Sequence, residues 1–170
     1  HKDKAKFTKF NSKIREGLLV IPRYDHFEKR SLVEIIDLKD FKTIHSYKHD
    51  IQSMNKRVKN KKYFPGLNTI SGPKTFLYWD PLILNDGSLI CDANPGPEFK
   101  IDYNSNLIWI NDEIIFHHSK ILDHENNCWV CGRLVNQTKI LIDYSLKEVT
   151  DDAIVKIDLN GNVLFKKSLV

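Results

Sequence analysis

The feature that most constrains this chain is a hairpin that occurs three times. Each copy has an apolar run, an Asp, a short polar turn and a second run rich in bulky residues. The copies are Val33 to Ile44 around Asp37, Phe99 to Trp109 around Asp102, and Ile154 to Phe165 around Asp158. Alternating apolar runs bounded by turn residues are the signature of antiparallel strands, and their recurrence points to an array of small sheets. In such arrays chemistry belongs on the connections between sheets.

The surrounding sequence extends each hairpin. Gly17 to Ile21, closed by Pro22, reads as a strand ahead of the first copy. Thr75 to Trp79, then Pro81 to Leu84, the turn Asn85-Asp86-Gly87 and Ser88 to Cys91 precede the second. An Asp-Gly pair between apolar runs is a strong hairpin signal. Phe116 to Leu122, the turn Asp123 to Asn127 and the return run Cys128 to Leu134 precede the third, after an excursion from Val135 to Asp152. Helical periodicity is poor, and its best candidate is a turn or two within 146–152. The expected fold is all-β, with β-propeller-like repeats of four-stranded antiparallel sheets over about 17–47, 75–110 and 116–166. Closed propellers have at least four blades, so a partial propeller is the reading. Residues 1–16 read as a flexible basic lead-in and 17–170 as the folded domain. The chain opens at His1, which reads as a processed start.

Composition narrows the function classes. A formal charge of +4 over 170 residues is mildly basic, and the Lys and Arg residues are scattered apart from clusters at 2–13 and 56–62. A nucleic-acid surface needs a denser footprint on one face, so no nucleic-acid partner is expected. The basic run at 56–62 reads as a solvated connection. No run approaches the ~18 apolar residues of a membrane span, so no membrane span is expected in this segment. No Gly-rich phosphate loop, nucleophile elbow or His-Glu-x-x-His motif is present, and no cofactor is expected.

Phe116-His117-His118-Ser119, Asp123, Trp129-Val130 and Arg133 together resemble a blade of the arylsulfotransferase family of β-propellers. Pro81 to Ile90 with Lys100-Ile101-Asp102 and Ile108-Trp109 is similar to another blade, as is Ile36-Asp37-Leu38 with His45-Ser46-Tyr47. The resemblance spans about residues 17–170. Asp80 stands where a His is expected in a fully equipped blade, and Ser105 where Gly is usual. The resemblance implies transfer of a sulfuryl group between phenolic compounds through a sulfated histidine, and a periplasmic or other extracytoplasmic location. It makes His118 or His117 the nucleophile and Arg133 the oxyanion clamp. Lys120, Trp129 and Trp109 are the substrate-binding candidates, for a small aromatic or anionic substrate. Further propeller blades or other chains are the expected partners.

Residue chemistry fits those assignments. A neutral imidazole can attack sulfur and split one displacement into two. A guanidinium can hold two sulfate oxygens at once, which an ammonium cannot. In a regular strand His117 and Ser119 share one face and His118 and Lys120 the other. Each residue has a plainer alternative. The histidines can be a packed and a solvated strand-end pair, Arg133 a surface cation, and the tryptophans inter-sheet packing. Cys128 and Cys131 lie three apart in a run that reads as strand, which puts their sulfurs on opposite faces. Neither a redox pair nor a zinc site with His117, His118 and His124 follows readily from that, and no metal site is expected. A non-catalytic binding module and a small metal-binding β domain are the alternatives to the enzyme.

Overall fold

Asp side chains fold back on their own turns along this chain and set where strands reverse. In a computed structural model of the protein, described for residues 16–67, 69, 71–93, 96–134, 138–142 and 145–170 (138–142 and 145–149 by their backbone), three hairpins share one geometry. Asp102, Asp123 and Asp158 each donate their N–H to the carbonyl four residues on, at 2.9–3.0 Å, and accept at their own carbonyl from the residue three on. Each carboxylate also takes the N–H four residues on, at 2.7–2.9 Å. The residue three on is left-handed each time: Ser105 at φ +68°, Asn126 at +61° and Gly161 at +84°. This is a type I turn closed by a bulge. The Asn85-Asp86-Gly87 turn repeats it, with Gly87 at φ +76°. These carboxyls are held below the usual range by the Asn106 side chain foremost at Asp102, by Lys156 foremost at Asp123 and, against burial, by Asn162 at Asp158, with backbone N–H groups adding at each.

The strands form an all-β fold. β1 (Leu18–Asp25), β2 (Arg30–Asp37) and β3 (Lys42–Tyr47) make a three-stranded antiparallel sheet. β4 (Trp79–Ile83), β5 (Leu89–Asp92), β6 (Gly96–Ile101), β7 (Leu107–Leu122), β8 (Cys128–Arg133), β11 (Asp152–Ile157) and β12 (Val163–Ser168) form one seven-stranded antiparallel sheet in that spatial order. β9 (Thr138–Ile142) and β10 (Ser145–Val149) pair as a separate hairpin.

Three expectations need correction. The first sheet has three strands, and the second and third repeats share one sheet instead of forming two four-stranded ones. The reason is β7: its 16 residues contain no Pro or Gly, so it stays extended and bends through register shifts opposite Gly96–Glu98 and at His117–Lys120. Residues 146–149 lie in a strand, while the helix is α1 (Ile51–Arg57), within the polar stretch that reads as irregular. Asp50 caps it by accepting from Ser53 N–H. The side chains of the basic run, Lys56, Arg57, Lys59, Lys61 and Lys62, are exposed as expected, while Val58 between them packs with Phe64 and Leu67. Lastly, Thr75 to Tyr78 lie ahead of β4 instead of forming a strand. The basic lead-in falls almost wholly on 1–15, outside the described residues.

The larger apolar core lies between the two sheets, and a second forms among strands of the seven-stranded sheet alone. Val33 and Ile35 of β2 and Tyr47 of β3 pack against Leu89, Phe99 and Ile101 of β5 and β6, with Phe76, Tyr78 and Met54 filling the layer. In the second, Phe116, Val130, Val155 and Ile157 pack with Leu82 and Trp109. Pro22 and Pro81 lack an N–H for ladder pairing, and both stand on edge strands, β1 and β4. These two edges approach one another without joining into one sheet.

Candidate functional site

The shift in β7 decides where its polar residues point. His117 pairs with Cys131 of β8, but the next pair is Lys120 with Val130, so two extra residues bulge out of β7. His118, in the bulge, is left-handed at φ +62°, a conformation that a non-glycine residue adopts at a cost. Strict alternation would put His118 and Lys120 on one face. The bulge breaks it: His118 and Ser119 are exposed and Lys120 is buried.

Three of the expected residues come together. His117 and His118 meet edge to face, with ring centroids 4.8 Å apart. His117 Nε2 lies 3.4 Å from Asp152 Oδ1, and Arg133 Nε lies 3.5 Å from the same oxygen. Asp152 opens β11 directly opposite Arg133. Burial pulls the His117 pKa below its ordinary value, with His118 and Arg133 in the same sense and Asp152 opposing. His117 is therefore neutral at pH 7, with one nitrogen towards a carboxylate and both without a formed hydrogen bond. The Arg133 side chain is 42% exposed, so its guanidinium can reach a ligand.

The substrate-binding candidates stand elsewhere. The Lys120 side chain is 1% exposed, and its ammonium lies 3.0 Å from Asp92 and 3.7 Å from Glu98, both buried. It also donates to the Asp80 and Trp79 carbonyls. Burial pushes the Glu98 carboxyl up to about 8, with Asp92 adding to the shift and Lys120 opposing it. Trp109 donates Nε1–H to the Leu159 carbonyl, and its ring covers Gly161, where a Cβ would sit 2.7 Å from it. Trp129 donates to Asp123, lies beside Phe165, and carries the Lys156 ammonium 5.5 Å from its ring. Both tryptophans thus have packing and hydrogen-bonding roles in place. Cys128 is buried and Cys131 exposed, on opposite faces of β8. Burial pushes the Cys128 thiol up to about 12, far from a reactive thiolate. Among the described residues no three His, Cys, Asp or Glu side chains converge as a metal site would require.

Sequence reasoning missed Asp152, Asp80 and Glu98. Asp152 is one of two adjacent acids, and only the β8–β11 register sets it beside Arg133. Asp80 is left-handed at φ +43° and accepts the Lys120 N–H at 3.2 Å, tying the β4 edge to the β7 bulge. Beside that junction, a cleft of about 510 Å³ opens between β1 and β4, with Ser119 on its wall. The chain matches no family model and no curated protein sequence.

Proposed function

We propose that the chain is an arylsulfotransferase-like protein that moves a sulfuryl group between phenolic compounds. One observation carries this reading: His117 and Arg133 meet at Asp152, and His118 stands against His117 at a strained bulge. Backbone strain in a non-glycine residue clusters at sites of function. The exposed His118 is the better-placed nucleophile. His117 behind it, facing Asp152, orients the ring, and Arg133 holds the sulfuryl oxygens.

In the reaction, a neutral imidazole nitrogen attacks the sulfur of an aryl sulfate. The new N–S bond forms as the S–O bond to the aryl group breaks, and the phenolate leaves with that electron pair. An acceptor phenol then attacks the same sulfur, its proton passing through water to the phenolate released in the first step, and the N–S electrons return to the ring. The charge-spread transition state needs fixed cations more than covalent help, by analogy with phosphoryl transfer. Propeller assembly belongs to the same proposal. Packing of the first sheet on the second supports it, as do Ile121 of β7, Ile154 of β11 and Phe165 of β12, which stand exposed.

A non-catalytic binding module is the second reading, favoured by Lys120, whose charge is consumed in the interior instead of facing a substrate. One assay separates the two. With 4-methylumbelliferyl sulfate as donor and phenol as acceptor, turnover is expected, falling at least about a hundredfold in His118→Ala, as for a lost nucleophile. Turnover unchanged in a His117→Ala/His118→Ala double variant overturns the histidine mechanism, and no turnover with the intact chain leaves the binding module.

A further inference from the structure

The cleft between β1 and β4 has a chemistry of its own. Its apolar walls are Val20, Pro22, Leu77, Trp79 and Pro81. Trp79 and Leu77 are 43% and 46% exposed, high values for large apolar side chains on the wall of a concavity. About 510 Å³ lies within the usual range for a small-molecule site. The cleft exists because two proline-bearing edges approach without pairing.

Charge selects the ligand. Arg23 is the one cation among the described lining residues, and its charge is spent. Glu34 takes it in a two-pronged pair at 2.7 and 3.0 Å, and Asp25 takes a third donor at 3.0 Å. Two carboxylates against one guanidinium leave that wall net negative. On the opposite wall Asp80 is exposed beside Trp79, fixed by the Lys120 N–H. The Lys120 ammonium lies behind that wall, matched by Asp92 and Glu98. An exposed indole next to an exposed carboxylate, on an apolar floor without a free cation among the described residues, is the arrangement that holds an organic cation.

We propose that this cleft binds a small organic cation with an apolar body, its ammonium between the Trp79 ring and the Asp80 carboxylate. An anionic ligand meets two net-negative walls there, and an uncharged one gains the apolar contact alone. The site is separate from the Asp152 cluster and does not depend on sulfuryl transfer.

The test is a titration of the full chain with three matched probes, benzyltrimethylammonium, benzyl alcohol and benzyl sulfate, followed by tryptophan fluorescence and by NMR. The cation is expected to bind about tenfold more tightly than the alcohol, and the sulfate most weakly. Trp79→Ala and Asp80→Asn are each expected to weaken the cation at least about fivefold. Asn tolerates the left-handed backbone and can still accept from Lys120, so Asp80→Asn changes the charge without breaking the bulge. Circular dichroism checks that both variants fold. The proposal is overturned if the alcohol or the sulfate binds as tightly as the cation. It is also overturned if both variants bind the cation like the parent, or if no probe binds at about 10 mM, beyond which binding carries under ~3 kcal/mol.

Discussion

Two three-membered charge clusters hang on β7, three residues apart, and they are built in opposite ways. Lys120 meets Asp92 and Glu98 at 3.0 and 3.7 Å with all three groups out of water. His117 and Arg133 meet Asp152 at 3.4 and 3.5 Å, with Asp152 half exposed. In the first, desolvation makes every missing partner costly, so the cluster must be matched and its members are locked. In the second, His117 is buried but neutral, while water screens Arg133 and Asp152 and the contacts are loose, so the two charged groups can turn to a ligand at little cost. A strand that bulges between them lets one sequence run serve both the interior and the surface.

The contrast can be broken by experiment. Removing the buried cation should have the largest effect. Lys120→Met leaves two carboxyl groups without their ammonium and should lower unfolding stability by about 3–5 kcal/mol in a denaturant titration. A loss under about 1 kcal/mol would mean that the interior cluster is as loosely coupled as the outer one.

The pH dependence of stability sharpens the same point. Burial holds the folded Glu98 carboxyl at about 8 against an ordinary 4.5, so between these values the folded chain binds the extra proton. Its contribution to stability is then fully present below about 4.5, is lost as pH rises towards about 8, and levels off above. Glu98→Gln should flatten that decline, as read from denaturation midpoints across the range. An unchanged slope would assign the proton elsewhere.

A smaller effect is expected at the turn beneath Trp109. Gly161→Ala adds a Cβ 2.7 Å from the indole at a φ of +84°, and should cost about 1–3 kcal/mol in the same titration. The smallest stability effect is expected on the outer cluster. Asp152→Asn should change stability by under about 0.5 kcal/mol. Because Asp152 opposes the burial of His117, the variant should lower the His117 pKa further, read from imidazole NMR signals. A rise instead would mean that Asp152 does not face the ring.

Much of the fold was legible because hairpins are local. Asp102, Asp123 and Asp158 carry their turn chemistry within five residues, and the flanking runs alternate clearly enough to place β5, β8, β11 and β12 within a residue or two. Pro22 reads as the end of the first strand, but β1 runs through it to Asp25, because on a sheet edge the missing N–H costs no ladder bond. α1 was not legible, because seven residues give too few turns for periodicity to show. Lys120 was misplaced for a different reason: alternation predicts its face only if the strand has no bulge, and no residue type at 117–120 announces one. Asp152 was missed because the partner that gives it meaning lies on another strand.

What the residues alone determined is an antiparallel β chain, where it turns, and the histidine, arginine and tryptophan candidates, since turn chemistry and period-two patterning act over a few neighbours. Tertiary structure decided that two repeats share one sheet, that Lys120 goes inside while His118 stays out, and that Asp152 joins His117 to Arg133. These outcomes depend on strand register, and register is set by how side chains distant in sequence fill a common core.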